Sequence, residues 1–555
     1  MNLPPVPEAT PDDVFIPGVD PGMALLRRED LAVCLVPPVD VDGLVLSSQH
    51  DQRVRMEELL RSKRAQRWSE GVVFPAVLTV ADDVGLHRSH VTVGGKFCPW
   101  GPGGYRFRAA ARDTSLDAAL VERLQEASHS CRLEVEKDDM RDLDLLIDAR
   151  NFHEFDSYLT ETLPLLELYA RYDLRGRVII ATTSRTQQKG FVRNLIRTWF
   201  PELSGRVELR QGPRDFGRVL LPLDTRHLYH MCRGSVMPSL PKLGEAPFGR
   251  TAELSGVAVA KANSTLDTVM AFRERVLAQI RPKGRGRRLY IQRRSRRAQR
   301  VVNEDLLLER LRPLGFEPVT FEDMSIEDQA RTVAGAEFLV GVHGAGISNM
   351  LFVPNGCKVI ELSNMQTLLA RWGMFNGMAL ASQAEYRHVF LDHDFALPDV
   401  MPSIAKDGHR GVEIDAFAAA ATAAWIHAQI DPEARLAAHE ECRRLNEDQR
   451  FDDLSAALDR HDDLLFHLAD AHVWRANCAS RQGDRRGALE MLQRAMVLAP
   501  ARLPLMKRIL ILADALGERE VFDRASAQFL KLRPQAARLF LAEQGWMPTE
   551  TPAEE

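Results

Sequence analysis

Two separate stretches of the chain alternate short apolar runs with amphipathic helical segments, and this pattern limits the possible folds more than any other feature. In the first stretch, Leu143–Ala149 and Val178–Thr182 predict buried strands. Helices are predicted after each of them, over Ser157–Tyr169 and Gln187–Phe200. Strands and helices that alternate at this spacing form a parallel sheet covered by helices. We therefore predict a first Rossmann-like domain over residues 141–265.

A second set of the same pattern follows, and it predicts four further strands: Leu289–Gln292, Pro318–Phe321, Phe338–Val342 and Lys358–Leu362. Asn303 and Ser325 are predicted to cap the two helices between the first three strands, and Gly315 and Gly335 to end them. This set predicts a second Rossmann-like domain over residues 266–430. The fold class is therefore α/β, with two domains that face each other across a cleft.

The N-terminal part differs from this α/β body. Residues 1–140 contain short β-like runs between turns rich in Gly and Pro, and we interpret them as the strand-rich start of the first domain. Further on, Pro238–Gly256 is again rich in Pro and Gly, so we expect this segment to cross between the two domains.

The C-terminal residues 431–555 carry a degenerate repeat. Gly483 and Gly517 are 34 residues apart, and Pro500 and Pro534 show the same interval. A period of 34 residues is typical of tetratricopeptide repeats, in which pairs of helices stack on one another. We therefore predict a helical tail like these repeats, with a protein partner as its ligand.

Composition excludes several classes of protein. The 555 residues are 45% hydrophobic and 27% charged, as in globular proteins, and the net charge of -5 gives no reason to expect a polyanionic partner. Seven cysteines without a C-x-x-C pair argue against a disulfide framework or structural zinc. The first residues do not resemble a signal peptide, and no run of about 18 apolar residues occurs. We expect a cytoplasmic protein, with peripheral contact to the inner face of the membrane left open.

The strongest local signal is the turn His343-Gly344-Ala345-Gly346, which follows the apolar run Phe338–Val342 and precedes a predicted helix. Glycines let the backbone approach a ligand closely, and the N–H groups at a helix N-terminus bind phosphate. Ligands of open α/β sheets also bind at the carboxyl ends of strands, where this turn is expected. Tight packing of the helix against the strand is the alternative explanation for the glycines.

The second signal is basic. Residues 281–300 hold ten Lys or Arg residues and no acidic residue. Arginine binds phosphate through paired hydrogen bonds and keeps its charge. Arg293 and Arg294 follow a predicted strand, so we expect them at the same sheet edge as the Gly-rich turn, whereas Arg287 is expected in a solvated loop. A nucleic-acid patch is a further alternative, but Tyr290 is the only aromatic residue of the run.

Together these two stretches resemble glycosyltransferase family 61. The elements that carry the resemblance are Tyr290-Ile291-Gln292-Arg293-Arg294, Arg300, Asn303-Glu304, His343-Gly344-Ala345-Gly346, Asn349-Met350-Leu351-Phe352-Val353-Pro354-Asn355-Gly356 and Ile360-Glu361. The resemblance implies a GT-B architecture, an inverting transfer and a nucleotide-sugar donor held mainly by the second domain. It also implies a glycan, glycolipid or glycoprotein acceptor and a role in surface polysaccharide biosynthesis.

The donor site implied by this resemblance lies on the second domain. The residues that we expect to bind the donor are Arg293, Arg294, His343, Gly344, Ala345, Gly346, Asn349 and Glu361. The arginines and the helix start are assigned to the diphosphate, and Glu361 to the ribose hydroxyls. We expect no cofactor besides the donor substrate and no metal ion. Asp392-His393-Asp394 has the letters of a metal motif, but we interpret it as a polar loop.

The general base is expected in the first domain, and its identity is open. Members of the family often carry a histidine seven residues before a proline that stands here at Pro164, but this chain has Ser157 at that position. Asp156 and His153 lie just upstream, in the loop after the strand Leu143–Ala149. Both are candidates for the group that takes the proton from the acceptor hydroxyl.

Two other classes of protein fit parts of the pattern. A non-catalytic binding protein would recruit partners through its helical tail and keep an inactive enzyme body, which Ser157 favours. A sugar-nucleotide epimerase has the same two-domain shape and relies on carboxylates and a histidine at the nucleotide site. Release of nucleotide from a nucleotide-sugar, measured with and without acceptor, distinguishes the three.

Overall fold

The structure is a computed structural model of the chain. The predicted interdomain crossing, Pro238–Gly256, lies outside the residues that it describes. Those residues are 10–27, 34–39, 42–48, 50–65, 71–88, 90–98, 133–149, 155–182, 190–224, 264–293, 301–367, 375–395, 400 and 402–546.

The strands and α-helices are numbered in chain order. The strands are β1 (Met23–Leu25), β2 (Cys34–Val36), β3 (Asp42–Val45), β4 (Gly71–Phe74), β5 (Ala76–Leu86), β6 (Val91–Val93), β7 (Lys96–Phe97), β8 (Leu145–Asp148), β9 (Val178–Thr182), β10 (Val207–Gln211), β11 (Arg214–Asp224), β12 (Ser264–Leu266), β13 (Arg287–Gln292), β14 (Val301–Val302), β15 (Phe316–Thr320), β16 (Ala336–Val342), β17 (Lys358–Asn364), β18 (Glu385–His393) and β19 (Val412–Glu413). The α-helices are α1 (His50–Ala65), α2 (Phe155–Ser157), α3 (Glu167–Arg171), α4 (Phe191–Trp199), α5 (Asp267–Gln279), α6 (Glu304–Leu311), α7 (Ile326–Val333), α8 (Asn376–Ser382), α9 (Ile404–Asp407), α10 (Ala416–Ile430), α11 (Pro432–Glu447), α12 (Phe451–Arg460), α13 (Asp462–Leu465), α14 (Ala469–Arg481), α15 (Arg485–Leu498), α16 (Leu503–Leu516), α17 (Arg519–Leu532) and α18 (Pro534–Glu543).

The first large sheet has the order β10-β9-β8-β11-β5-β6-β7, with β1 paired to β5. Strands β8, β9 and β10 are parallel, and β11 pairs parallel with β8 and antiparallel with β5. In chain order, β8 to β11 lie as 3-2-1-4, the order of half a doubly wound fold. Leu145 and Leu146 point to opposite faces of the sheet and are both fully buried, as are Ile179 and Ile180, so the strands are covered on both faces. The predicted alternation of strands and helices is confirmed here.

The segment predicted as one helix over Ser157–Tyr169 is a series of short helical turns instead. Helix α2 passes into a π-helix at Tyr158–Thr162, then a 3₁₀-helix at Leu163–Leu166, and then α3. Pro164 has no N–H to donate, which favours the change of hydrogen bonding at this point. One-turn π-helices are rare and occur frequently at functional sites.

The second large sheet has the order β14-β19-β18-β17-β16-β13-β15. The five strands β13, β15, β16, β17 and β18 pair in parallel with one another. In chain order they lie as 2-1-3-4-5, the other common doubly wound order. The direction in which the chain crosses the sheet therefore reverses between β13 and β16. Doubly wound sheets bind ligands at the carboxyl ends of the strands that flank such a switch point.

Helix caps in the second domain agree with the sequence prediction at one position and differ at another. Ser325 Oγ accepts a hydrogen bond from Asp328 N at 3.0 Å and caps α7, as predicted. Asn303 precedes α6, but its φ of 60° is left-handed and its side chain makes no capping hydrogen bond. A capping side chain needs an extended backbone at that residue, which this conformation does not provide. Gly315, with φ of 80°, ends the turn after α6 as predicted.

The N-terminal strands divide between the sheets, although the sequence assigned them all to the first domain. Strands β5, β6 and β7 extend the first sheet, as expected. Strand β3 instead pairs with β18 in the second sheet, with Asp42 opposite Arg387. Val45 from β3, Met56 from α1 and Phe390 from β18 share a small core there. The paired residues are far apart in sequence, so no local pattern indicates this pairing.

Helix α5 connects the two domains. Its Arg275 donates to Glu167 Oε1 at 2.6 Å and to Glu202 Oε1 at 2.9 Å in the first domain. On the same helix, Phe272 packs against Phe200 of the first domain, with ring centroids 5.8 Å apart. The Phe272 ring also contacts the second domain at Phe352, at 6.0 Å. These contacts position the two walls of the cleft between the domains.

The C-terminal tail consists of helices α11 to α18. Helix α14 begins 34 residues before α16, and α15 begins 34 residues before α17, which is the predicted interval. The tail contacts the second domain where Phe417 of α10 packs against Phe466 and His472, at 5.5 and 5.8 Å. Its identity as tetratricopeptide repeats stays a prediction. In the described part of the chain, no helix combines the length and the apolar character needed to cross a membrane.

Candidate functional site

The carboxyl ends of β13 and β16 lie side by side at the switch point of the second sheet. Ile291 stands opposite Gly341 in the register of the two strands. Arg293 follows β13 directly, and His343 follows β16 directly. The two motifs that were found separately in the sequence therefore meet at one sheet edge, where doubly wound sheets bind ligands.

The Gly-rich turn after β16 leads into a 3₁₀-helix over Ala345–Phe352. Gly344 has φ of 151° and ψ of -178°, a conformation that residues with a side chain rarely adopt. A Cβ atom on Gly346 would lie 3.1 Å from Ile291 Cγ2, and one on Gly341 would lie 3.0 Å from the same side chain. Close packing against β13 therefore accounts for part of the glycine pattern.

A cavity of about 900 Å³ opens between the two domains at this edge. The first-domain wall contains Phe155, Gly190, Phe191, Asn194, Arg197 and Thr198. The second-domain wall includes four residues that were predicted to bind the donor, Arg293, Ala345, Gly346 and Asn349. A cavity of this volume lies within the range of small-molecule sites.

Arg293 is half-buried in the second-domain wall of the cavity. Burial lowers the pKa of its guanidinium, and the charge of Glu322 opposes that change. With the residues that the structure describes, Arg293 forms neither a hydrogen bond nor an ion pair. Because a partly desolvated charge without a hydrogen bond or an ion pair is unfavourable, this side chain is suited to bind an anion that enters the cavity.

The arginines at the opposite end of β13 have acidic partners. Arg287 Nη2 lies 2.7 Å from Glu317 Oε2, and Arg288 Nε lies 3.4 Å from Glu337 Oε2. Arg287 is the first residue of β13, so it does not lie in the solvated loop that was expected. The basic run is therefore not a single patch of free positive charge.

His343 and Glu361 form a buried pair behind the Gly-rich turn. Glu361 is 2% exposed, and its Oε1 lies 2.8 Å from His343 Nδ1. The carboxylate also accepts hydrogen bonds from Ser363 Oγ, at 2.9 Å, and from the Tyr386 hydroxyl. Burial alone would raise the pKa of Glu361, but the charge and hydrogen bond of His343, together with the Tyr386 hydrogen bond, lower it to about 2. Phe375 lies against the His343 ring, with centroids 5.3 Å apart.

The hydrogen bonds of Glu361 show a further role for this carboxylate. Each of its oxygens accepts a hydrogen bond from a protein side chain, and neither Glu361 nor His343 belongs to the cavity wall, so the donor contacts predicted for both residues stay predictions. The Glu361 carboxylate fixes the orientation of the His343 ring, as a carboxylate bonded to a histidine nitrogen does at many functional sites. His388 lies in the same cluster, 4.5 Å from the Tyr386 ring, and burial lowers its pKa to about 4.

Asn349 supports the turn from within the 3₁₀-helix. Its Nδ2 donates to Gln329 Oε1 at 3.2 Å and to the carbonyl oxygen of Gly346 at 3.3 Å. Asn349 is 2% exposed and belongs to the cavity wall. The amide therefore ties the turn to α7, and its contact with a donor stays a prediction.

Three other motif residues hold the end of β13. The Tyr290 hydroxyl donates to Glu304 Oε1 at 3.0 Å, and Gln292 Nε2 donates to Glu304 Oε2 at 3.3 Å. Burial raises the pKa of Glu304, and these two hydrogen bonds oppose that change. The network joins β13 to α6 and so fixes the strand end that carries Arg293.

The candidates for the general base are only partly placed. Asp156 lies in α2 and is 8% exposed. Its neighbour Phe155 lines the cavity, whereas Asp156 does not. His153 lies outside the described residues, and so do Arg294 and Arg300. The roles predicted for Asp156, His153 and Arg294 therefore stay predictions.

Asp392-His393-Asp394 is the end of a strand, not the polar loop that was expected. Asp392 and His393 are the last residues of β18. Asp392 accepts a hydrogen bond from Ser47 Oγ at 2.5 Å, and Asp394 accepts one from Gly411 N at 2.7 Å. Within the described ranges, no group of three or more His, Cys, Asp or Glu residues is arranged to hold a metal ion.

The first-domain wall of the cavity was not predicted. Helix α4 contributes Phe191, Asn194 and Arg197 to it, at intervals of three residues. Residues at this spacing share one helical face, so the pattern was present in the sequence. The opposite face of α4 is apolar and buried, and a helix of this kind is indistinguishable from an ordinary surface helix until the cleft is known.

Comparison with known proteins identifies a region that holds most of both walls. The family model described as Glycosyltransferase 61 matches residues 158–360. The EGF domain-specific O-linked N-acetylglucosamine transferase of Drosophila melanogaster is 31% identical over 139 residues, which are 24% of this chain and 25% of that protein. The Bos taurus protein of the same name is 26% identical over 156 residues, which are 26% of this chain and 28% of that protein. The Mus musculus protein is 28% identical over 142 residues, which are 24% of this chain and 26% of that protein.

The matched region spans about a quarter of the length of these relatives. The crystal structure of MamA is similar over 24% of this chain and 80% of that chain, with 18% identity and a TM-score of 0.18. The family match includes Arg197, Arg293 and the whole Gly-rich turn. Residues 158–360, which include parts of both Rossmann-like domains, therefore match the glycosyltransferase 61 family.

Proposed function

We propose that the chain is a glycosyltransferase of GT-B architecture, which moves a sugar from a nucleotide-sugar donor to a hydroxyl group of an acceptor. The donor lies on the second-domain wall of the cavity, and the acceptor enters along the first-domain wall. The observation that carries the proposal is the position of Arg293, a half-buried guanidinium without an acidic partner among the described residues, at the switch point of a doubly wound sheet.

The chemistry of transfer explains why an arginine is needed there. As the sugar leaves the donor, negative charge develops on the nucleotide diphosphate, and fixed positive groups stabilise it. Arg293 supplies such a group, and Arg294 is proposed as a second. The first N–H groups of a helix have no partner inside the helix, so those of Ala345 and Gly346 are suited to bind a phosphate oxygen.

His343 and Glu361 act together in this proposal. Glu361 positions the imidazole of His343 at the start of the turn, and His343 contacts the donor. In an inverting transfer, a base on the acceptor side removes the proton from the attacking hydroxyl while the donor is held in line. Asp156 and His153 remain our candidates for this base, and the reaction is proposed to need no metal ion.

The names of the relatives suggest the class of substrate. They transfer N-acetylglucosamine to EGF domains, so we propose an N-acetylhexosamine nucleotide as the first donor to test. The acceptor is a glycan, a glycolipid or a glycoprotein, and a role in surface polysaccharide biosynthesis at the inner face of the membrane is the setting that we propose. The helical tail is proposed to be a tetratricopeptide-like module that binds a protein partner.

The test is an assay of nucleotide release from a panel of purified nucleotide-sugars, with and without acceptor, by the full chain and by Arg293→Ala. We expect release that rises with acceptor and falls strongly in the variant. An arm with EDTA tests the metal requirement. Isomerisation of the sugar without release would identify an epimerase instead, and binding without turnover would identify a non-catalytic protein. Either result would overturn the proposal.

A further inference from the structure

Helix α4 presents a polar and aromatic face to the cavity. Its apolar stripe is buried against the first domain. The cavity face carries Phe191, Asn194, Arg197 and Thr198, at the spacing of one helical face. Arg193 is exposed on the same helix but does not belong to the cavity wall. The same helix therefore carries two exposed arginines one turn apart, of which only Arg197 lines the cavity.

Arg197 forms no salt bridge with the residues that the structure describes, and the same is true of Arg193. Arg171 is paired with Asp267 at 2.8 Å, Arg177 with Asp144 at 2.7 Å, and other arginines of the first domain have similar partners. An exposed arginine gains little from one surface pair, so the lack of a pair alone decides nothing. Arg197, however, lines the cavity, and the opposite wall contains Arg293, which is also unpaired within the described part of the chain. This position suits Arg197 to bind a ligand.

The same wall of the cavity also contains two aromatic rings. Phe155 and Phe191 both line the cavity, and their rings contact each other edge to face, with centroids 5.9 Å apart. Aromatic rings provide a large, rigid apolar surface, which suits the apolar face of a sugar ring. Asn194 and Thr198 add groups that can form hydrogen bonds with hydroxyls.

We propose that the acceptor is an anionic glycan, in which Arg197 binds a carboxylate or phosphate group carried by the sugar that lies against Phe155 and Phe191. This inference rests on the proposed function, because it takes the first-domain wall as the acceptor side. Guanidinium binds both oxyanions through two parallel hydrogen bonds, so the shared chemistry is a planar or tetrahedral oxyanion on a sugar ring. The donor diphosphate is held across the cleft at Arg293.

A salt bridge across the cleft is the competing explanation for Arg197. Glu327 lies in the opposite wall of the cavity, and its nearest basic partner is Arg331, at 3.9 Å. If the domains closed further, Glu327 could pair with Arg197 without any acceptor. The variant Glu327→Gln separates the two explanations, because it removes such a bridge and leaves the charge of Arg197 in place.

The experiment measures glycan binding by the full chain at low salt. The probes are matched trisaccharides on gluco, galacto and manno scaffolds, each in a neutral, a 6-carboxylate and a 6-phosphate form. We expect an anionic form to bind at least tenfold more tightly than its neutral counterpart on one scaffold or more. Arg197→Ala should reduce this preference to within twofold, whereas Arg193→Ala and Glu327→Gln should retain it. Whichever anionic form binds more tightly identifies the source of the oxyanion.

Two results would overturn the inference. One is a wild-type chain that binds no anionic trisaccharide more tightly than its neutral form. The other is an equal loss of preference in Arg193→Ala or Glu327→Gln. A parallel titration with uridine diphosphate keeps the proposed function separate: Arg197→Ala should leave this affinity within twofold, and Arg293→Ala should lower it at least tenfold. If the chain prefers anionic glycans but Arg293→Ala does not lower the affinity for uridine diphosphate, the result would contradict the proposed donor site and leave this inference standing.

Discussion

The two ends of strand β13 carry the same residue type in different settings. At the amino end, Arg287 and Arg288 are paired with Glu317 and Glu337. At the carboxyl end, Arg293 is half-buried in a cavity wall and has no such partner in the described part of the chain. In a parallel sheet only the carboxyl end faces the ligand crevice, so the direction of the strand determines which arginine can serve a ligand.

The arginines at the two ends of β13 also differ in how their charges contribute to stability. Arg287 and Glu317 are 21% and 53% exposed, and a pair so open to water contributes at most about 1 kcal/mol to stability. The partly buried charge of Arg293 loses hydration without gaining an ion pair. A bound anion would offset that loss, which is why a substitution at the carboxyl end should affect binding and one at the amino end should not.

The largest expected effect is that of Arg293→Ala. Loss of a fixed positive group beside the leaving diphosphate should raise the barrier by about 2–4 kcal/mol, which lowers kcat/KM roughly 30- to 900-fold. Initial rates with a saturating acceptor measure it. The matched control is Arg287→Ala, from the amino end of the same strand, which should retain kcat/KM within twofold. Equal losses in both variants would remove the distinction between the two ends.

The second effect concerns the buried carboxylate near the carboxyl end of the strands, Glu361. Its pKa in the folded chain is about 2, against an ordinary value of about 4.3. A lowered pKa stabilises the folded state fully above about pH 5, and this contribution, on the order of 3 kcal/mol, is lost as the pH falls from about 4 to about 2. The difference in unfolding free energy between the wild type and Glu361→Gln should therefore shrink as the pH falls through that window.

The amino-end control for this prediction is Glu317→Gln. The hydrogen bond from Arg287 lowers the pKa of Glu317, but the residue is exposed, so its variant should differ little from the wild type at any pH. Chemical denaturation at a series of pH values measures both variants. A constant difference for Glu361→Gln between pH 5 and pH 3 would show that its carboxylate contributes through packing alone.

The sequence predicted the parts of the site that depend on local pattern. Apolar runs predicted the strand Leu289–Gln292 and the strand before His343, and glycines predicted the turn that follows His343. Because the two strands are parallel, their carboxyl ends meet at one edge of the sheet. The sequence did not indicate that Tyr386 and Ser363 reach the carboxylate of Glu361, from β18 and from its own strand. Burial of a side chain within a sheet depends on such neighbours, which local pattern does not supply.

Contacts between distant segments could not be predicted either, because local pattern does not show which segments pair. Strand β3 joins the second sheet opposite residues far away in sequence, and the wall at Arg197 acquires a role only when the second domain faces it. The series of short helical turns around Pro164 was also missed, because its apolar spacing resembles that of one continuous helix. The period of the apolar residues shows which face of a helix is buried, but it does not distinguish α-helical from π-helical or 3₁₀-helical hydrogen bonding.

A smaller effect separates ligand binding from packing at Gly346. A Cβ atom there would lie 3.1 Å from Ile291 Cγ2, so Gly346→Ala should destabilise the chain by about 1 kcal/mol through crowding. Ile291→Leu removes that methyl at nearly constant volume, and the double variant should recover stability. If the turn binds the donor phosphate through its backbone, the double variant should still bind uridine diphosphate weakly. Recovery of both stability and affinity would assign this glycine to packing alone.

The smallest expected effect is the coupling between Arg287 and Glu317 at the amino end. A double-mutant cycle with Arg287→Ala and Glu317→Ala isolates their interaction from the separate effect of each substitution. Both side chains reach water, so the coupling in unfolding free energy should be below about 1 kcal/mol and should decrease further as salt screens the charges. Urea denaturation at low and high salt measures it. A coupling above about 2 kcal/mol, or one that salt does not change, would mean that the amino end is as desolvated as the carboxyl end. The absence of an acidic partner at Arg293 would then be the only remaining difference between the ends, and burial would no longer explain why one of them faces a ligand.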